Sequence, residues 1–268
     1  MYHKKFKTDK FDFNIDEVLE IARKSGKEVL KIYNKDFEIE YKNDKSPLTE
    51  ADKKSHRIIV EELKKYKLPI LSEEGKNITY EERKNWEYFW MIDPLDGTKE
   101  FIKKNGEFTI NIALIYKNKP IFGVVYAPVL DWIYFNDNEN SYKIEKGKLI
   151  KLPIKRNDYK FIIVASRSHL NEETKNFIDS IQTNKEKEFI SIGSSLKLCL
   201  VAEGKADIYP RLAPTMEWDT AAADAIVRKA GKNVYSIDSI KTINSIDAID
   251  SIINYNKQNL LNPWFVVK

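Results

Sequence analysis

A chain of 268 residues is long enough for one large domain or two smaller ones sharing an interface. With 42% hydrophobic and 32% charged residues it is an ordinary globular sequence, which excludes a disordered or fibrous chain. The net charge of +4 is nearly balanced, and pairs such as Lys4-Lys5, Lys53-Lys54 and Lys103-Lys104 are scattered rather than interleaved with aromatics, so no nucleic-acid polymer is expected as a partner.

Ile15, Val18, Leu19, Ala22, Val29, Leu30 and Tyr33 recur at helical spacing, with Asn14 as the candidate cap. A short strand is predicted at 37–41. In KSPLTEADKKSHRIIVEEL, Thr49 and Asp52 form the T-x-x-D pattern of a capping box and open a helix that turns Ile58, Ile59 and Leu63 inward. LPILSEE reads as a strand ending in Glu73 and Glu74. Four segments rich in β-branched and aromatic residues then read as strands: WEYFWMID, FTINIALIY, PIFGVVYAP and DWIYF. The polar stretch 137–158 is expected to hold only a weak strand and the boundary between two units. Beyond it, strand and helix alternate: FIIVA, a helix over about 171–182, FISI, a helix from Ser194-Ser195 to Gly204, ADIYP, and an Ala-rich helix ended by Gly231. Such alternation argues for a layered α/β fold.

The single cysteine, Cys199, excludes an internal disulfide and a multi-cysteine zinc site, and it reads as a small core residue. The first residues lack the apolar core of a signal peptide, and no run approaches the roughly 18 apolar residues of a membrane span. A cytoplasmic protein is therefore expected. None of the nine glycines forms a phosphate-loop motif, which argues against a kinase.

The acids at element ends are Asp52, Glu73, Glu74, Asp93, Asp96 and Asp219. Ligands of layered α/β folds gather where strand ends meet helix starts. Converging carboxylates need their repulsion offset, and all-oxygen ligation suits Mg²⁺ better than zinc; the three histidines form no zinc signature. In DPLDGTKEF, Pro94 and Gly97 shape a turn, the Leu95 carbonyl is a further oxygen donor, and Gly97-Thr98-Lys99 open a helix whose free amides suit a phosphate. Taken singly each feature has a plainer reading: Asp93 as a turn cap, Thr49-x-x-Asp52 as an ordinary cap, Glu73-Glu74 as an exposed acidic pair.

Taken together they resemble the inositol monophosphatase superfamily of Mg²⁺-dependent, lithium-sensitive phosphatases: Glu73 in LSEEG, Asp93–Thr98 in DPLDGT, and Trp218-Asp219 in WDTAAADAIV. The resemblance runs from TEAD at Thr49 to LLNPWFVV near the end of the chain. KEFI after DGT, SRSH at 166–169, GSSLKLCLVAEG at 193–204 and DIYPR at 207–211 are similar to the CysQ-type branch, the bacterial 3'(2'),5'-bisphosphate nucleotidases.

The resemblance implies an αβαβα sandwich of two sub-domains, 1–150 with most metal ligands and 151–268 with Asp219 and the substrate-recognition residues. It implies a small nucleotide substrate, adenosine 3',5'-bisphosphate (PAP) or its sulfated relative PAPS. Glu73, Asp93 and the Leu95 carbonyl would hold one Mg²⁺; Asp93, Asp96 and Asp219 a second; Glu74 would assist a third, weaker one. Thr98, bonded to Asp52 as proton acceptor, would orient the attacking water, with Glu73 also in a catalytic role.

Substrate would meet Glu73, Leu95, Asp96, Gly97, Thr98, Ser166, Ser168, His169, Gly193, Lys197 and Asp219. Arg167, Lys197 and Arg211 serve equally well as structural ion-pair partners. Glu217, beside Asp219, departs from the smaller residue expected there and is expected to point outward. An inositol or sugar-phosphate phosphatase and a non-catalytic sensor are the rival readings. Monomer and homodimer both remain open, as does attachment to the inner face of the cell membrane.

Overall fold

The computed structural model describes residues 2–41, 47–156, 159–165, 171–237 and 249–268. The chain starts with a small hairpin, β1 (Lys5–Lys7) and β2 (Asp12–Asn14), and enters α1 (Ile15–Tyr33), whose first turn is capped by the Asn14 side chain. The antiparallel pair β3 (Ile39–Tyr41) and β4 (Pro47–Thr49) leads into α2 (Glu50–Leu63), which opens with the expected Thr49–Asp52 capping box.

β5 (Ile70–Ser72), the short α3 (Tyr80–Arg83) and β6 (Tyr88–Asp96) follow. Then come α4 (Thr98–Ile102), β7 (Thr109–Tyr116), β8 (Lys119–Ala127), β9 (Trp132–Asn136), β10 (Ser141–Glu145) and β11 (Lys148–Leu152). Strands β5 to β11 make a seven-stranded sheet in simple spatial order, antiparallel except for the parallel β5–β6 edge.

The second half contributes β12 (Lys160–Ala165), α5 (Glu172–Ser180), β13 (Glu186–Ser191), α6 (Leu196–Glu203), β14 (Tyr209–Arg211) and α7 (Glu217–Lys229). β15 (Val234–Ile237), β16 (Ile249–Ile252) and β17 (Phe265–Val267) complete it. β12 pairs parallel with β13, and β14 lies in the order β14-β17-β15-β16. Main-chain bonds from Val164 to Ile208 and from Asp207 to Ile162 join the two groups into one second sheet.

Three apolar clusters set the layering. Trp90, Ile92, Ile112 and Val124 on one face of the first sheet pack against Val18, Ala22, Ile59 and Leu63 of α1 and α2. Phe89, Met91, Ala113 and Val125 on its other face pack against α6 and α7, which in turn cover Ile162, Val164, Tyr209 and Phe265 of the second sheet. Ile163, Ile208 and Val266 on the far face receive Phe177 and Ile178 of α5. The result is five layers, α–β–α–β–α, as the layered α/β reading expects.

The middle helices are small-residue-rich for a steric reason. A Cβ at Gly123 would lie 2.0 Å from the Ala222 carbonyl oxygen, so the α7 backbone sits almost on β8. Cys199 is fully buried there.

The segment 137–158 differs from expectation, since it holds two strands rather than one weak one. Lys143 of β10 points inward with 0% exposure, and its ammonium lies 3.3 Å from Glu203 and over the Trp132 ring. A neutralised interior lysine makes a core strand look like a solvated one in the sequence. The first sheet runs through Leu152 and the second starts at Lys160, so we propose that the two sub-domains divide between them. Among the described residues, no helix is long and apolar enough to cross a membrane.

Candidate active site

In a regular strand, residues three apart point to opposite faces. β6 avoids this at its end: Asp93 pairs with Asn111 but Asp96 pairs with Thr109, so one extra residue is accommodated on the β6 side. Pro94 has no N–H to continue the ladder, and the resulting bulge re-aims both acids toward one side. The Leu95 amide donates to Asp93 Oδ1 at 3.0 Å, and Gly97 then takes φ 92 to start α4.

Glu73 follows β5, and its amide donates to the Ile92 carbonyl, which brings it beside Asp93. Asp52 is buried at the third position of α2, with Oδ2 accepting from the Thr49 amide at 2.7 Å and hydroxyl at 2.6 Å. Its Oδ1 faces the Thr98 hydroxyl at 3.2 Å, and that hydroxyl also lies 3.4 Å from the Leu95 carbonyl. One turn on, Ser55 donates to the Pro94 carbonyl at 2.6 Å and meets Ser25 of α1 at 2.6 Å. The buried serine pair anchors the acidic turn to both helices.

Asp219 enters from α7, with Oδ2 accepting from the Met216 amide at 2.8 Å. Ser195 joins it to the turn. Its amide and hydroxyl lie 2.6 Å from Asp96 Oδ2, its hydroxyl also lies 2.6 Å from the Asp219 carbonyl, and Asn111 donates to it at 2.8 Å. Asn111 and Ser55 are missing from the residues predicted for the site, and Ser195 is expected there only as part of the helix start that would meet substrate. The only signal in the sequence is a hydroxyl at a helix start in GSSLK.

Burial, then repulsion from Glu73, Asp96 and Asp219, holds the Asp93 carboxyl well above the usual carboxylate range. Asp219 is raised likewise by burial and by Asp96, with Glu73 adding to it. Asp52 is pushed up to about 6 by burial, against the opposing bonds from Thr49. These acids want positive charge, whether protons or a cation. Their oxygen-only donor set, with the Leu95 carbonyl, fits a hard divalent ion. Among the described residues no three carboxylate, His or Cys side chains converge on one point, and Asp96 and Asp219 each have Oδ2 bonded to a protein donor.

A cleft of about 400 Å³, the size of a small-ligand site, lies over these acids. It is lined by the acids and their turn, Glu73, Asp96, Gly97, Thr98 and Asp219, and by a second group, Ser194, Lys197, Tyr209 and Arg211, with Glu100. Lys197 is buried, donates to the Ser194 carbonyl at 2.7 Å, and burial lowers its pKa to about 8. Ser194 Oγ and Arg211 Nε are buried without an acceptor among the described residues. Gly193 is where only glycine fits, since a Cβ would lie 2.6 Å from the Glu107 carbonyl. Of the other predicted contacts, Ser166, Arg167, Ser168 and His169 lie outside the described residues.

Glu217 corrects an expectation. It does turn away from the cleft as expected, but into the protein rather than out to solvent: it is 0% exposed, with its carboxylate 2.5 Å from Lys257 Nζ. Desolvation of a carboxylate here is offset by an ammonium and two amides rather than by water.

Residues 14–258 match the model of the inositol monophosphatase family. The chain is 44% identical over 225 residues to the 3'(2'),5'-bisphosphate nucleotidase CysQ of Salmonella typhimurium, covering 82% of this chain and 89% of that one. It is 35% identical over 259 residues to the CysQ nucleotidase of Haemophilus influenzae, covering 94% and 91%. Among solved structures, CysQ from Bacteroides thetaiotaomicron, described as a bacterial member of the inositol monophosphatase family, is similar at a TM-score of 0.83 and 44% identity, over 94% of this chain and 96% of that one. The Asp93–Thr98 turn, the Glu73 strand end and the Asp219 helix start therefore sit in a chain that belongs to the inositol monophosphatase family.

Proposed function

We propose that this protein is a Mg²⁺-dependent 3'(2'),5'-bisphosphate nucleotidase that removes the 3'-phosphate of PAP, giving AMP and phosphate, and that also accepts PAPS. The observation that carries this reading is the mixed lining of the cleft: an acid cluster that needs cations shares it with a wall whose buried donors lack an acceptor among the described residues. A substrate with two phosphates supplies one for each side. The 44% identity to named CysQ nucleotidases supports the same choice.

Glu73, Asp93, Asp96, Asp219 and the Leu95 carbonyl would hold the cations, which would neutralise phosphate charge and lower the pKa of water at the site. The chain's own part in the chemistry is positioning and proton transfer, which is most of what phosphoryl transfer requires. Thr98 donates its hydroxyl hydrogen to Asp52 Oδ1, so its oxygen is left to accept from a water placed over the scissile phosphate. As that water's oxygen bonds to phosphorus and the bond to the ribose 3'-oxygen breaks, the water's proton passes to Thr98 and the Thr98 proton to Asp52. Asp52 suits this role because burial pushes its pKa up to about 6, making it a stronger base than an ordinary aspartate. Solvent returns a proton to the departing 3'-oxygen.

On the other wall, Lys197, the Ser194 hydroxyl and Arg211 would take the 5'-phosphate, a charge-assisted set well suited to an anion. Tyr209, also lining that wall, would give the base an aromatic neighbour.

The test is phosphate release with Mg²⁺ from PAP and from inositol 1-phosphate at equal concentration. Strong preference for PAP is expected. Preference for inositol phosphate would retain the acid wall and overturn the nucleotide assignment, and no release from either would overturn the enzyme.

A further inference from the structure

α7 carries Asp219 into the cleft, but its first turn is gripped from the opposite side by the 254–262 segment. Glu217, the first residue of the helix, accepts from the Asn256 amide at 2.6 Å, the Lys257 amide at 3.0 Å and Lys257 Nζ at 2.5 Å. Its own amide donates to the Leu260 carbonyl at 2.9 Å. The Asn262 side-chain amide reaches the Met216 carbonyl at 2.8 Å and Thr220 Oγ1 at 3.0 Å. Asn256 is itself tied to the first half of the chain: Arg83 donates to its Oδ1 at 2.7 Å and accepts from its Nδ2 at 2.8 Å.

Successive helical residues are about 100° apart, so positions one and three of a helix point to nearly opposite sides. A bond that holds Glu217 therefore sets the rotation of the helix start and with it the direction of Asp219. The grip is stiff because it uses a charged acceptor in a buried place. If α7 turned, the Glu217 carboxylate, 0% exposed, would lose its partners away from water. The Met216 amide bond to Asp219 Oδ2 lies on this same turn, so the carboxylate moves with it.

We propose that Glu217 is a positioning residue, whose bonds to the 256–257 backbone and to Lys257 fix the start of α7 so that Asp219 faces Asp96 and Glu73. The inference deepens the reading above and rests on it for the role of Asp219 as a cation ligand.

The test is Mg²⁺ affinity of the full chain by calorimetry, with phosphate release from PAP measured as a function of Mg²⁺. Loss of a residue that orients a ligand typically weakens metal binding by about 10–100-fold, and Glu217→Gln is expected to do so while keeping its fold by circular dichroism. The Mg²⁺ needed for half-maximal release should rise by the same factor, with kcat at saturating Mg²⁺ within about threefold of the parent. A merely structural role would lower the melting temperature without this split. Lys257→Met keeps both amide donors and should shift Mg²⁺ affinity in the same direction by less.

A folded Glu217→Gln protein with parental Mg²⁺ affinity overturns the proposal. If that variant does not fold, parental affinity in Lys257→Met overturns it instead. A parent chain that binds Mg²⁺ but releases no phosphate sinks the functional reading and leaves the affinity comparison decisive. A parent that binds no Mg²⁺ sinks both.

Discussion

The two walls of the cleft are built in opposite ways. On the acidic wall, Asp52, Asp93, Asp96 and Asp219 each already accept a hydrogen bond from the protein, three of them from a main-chain amide two or three residues away. On the second wall, Ser194 Oγ and Arg211 Nε have no acceptor among the described residues, and Lys197 leans on a main-chain carbonyl. Like charges held together must be restrained by the fold before a ligand arrives, whereas donors for an anion can stay incomplete until it does. Rigidity on one side and unmet donors on the other are what a site for a cation cluster and a second phosphate needs.

The sharpest way to break this contrast is Asp93→Asn. It removes the most buried acid of the cluster, and PAP hydrolysis should fall on the order of 10³-fold or more. A parental rate would remove the acidic wall from the chemistry. Next, Thr98→Val takes away the hydroxyl between water and Asp52, and kcat should fall by about 10²–10⁴-fold with KM little changed. A rise in KM alone would make Thr98 a binding residue.

On the other wall, Lys197→Met should cost about 2 kcal/mol of binding, or roughly thirtyfold in KM for PAP. Adenosine 3'-monophosphate, lacking the second phosphate, should be unaffected. Equal losses on both substrates would place Lys197 with the acids instead.

A pH series sharpens the same point. The Lys197 pKa is lowered by burial to about 8, so its charge, and affinity for PAP, should fade as pH rises through 8. Stability runs the other way: the unfolded lysine keeps its proton up to about 10.5, so the cost of burying the charge is full below pH 8 and is relieved between 8 and 10.5. Affinity that is flat across this window would dissociate Lys197 from the second phosphate.

The smallest effect is expected from Ser55→Ala, which leaves the Pro94 carbonyl without its donor. Chemical denaturation should show a loss of about 1–3 kcal/mol, with catalysis changed only a few-fold. A large loss of catalysis would show that the turn depends on α2 for its shape.

Much of this site is legible along the chain because its signals are local. The Thr49–Asp52 cap, Pro94 with Gly97 in the turn, and Asn14 before α1 each act over a few residues, and all appear at the expected positions. The strands 88–96, 109–116 and 119–127 are equally plain, since a central strand buried on both faces reads as an almost unbroken apolar run. The β10–β11 hairpin was illegible because its buried lysine is neutralised by Glu203, 60 residues further on. The strands β15 to β17 come from short segments whose partners lie elsewhere in the second sheet.

Residue chemistry read in order is thus enough to name the acids, the turn and the helix starts, since caps and turns are closed by neighbours. Which acids meet, and what holds them, belongs to the folded molecule. The bulge that turns Asp93 and Asp96 to one side needs β7 as its partner strand. Ser195 reaches Asp96 across 99 residues, and Glu217 turns inward only because Lys257 and two amides arrive 39 and 40 residues later. Such bonds leave no periodic trace in sequence: a serine or glutamate is written the same way whether water or a distant chain segment satisfies it, and only packing decides which.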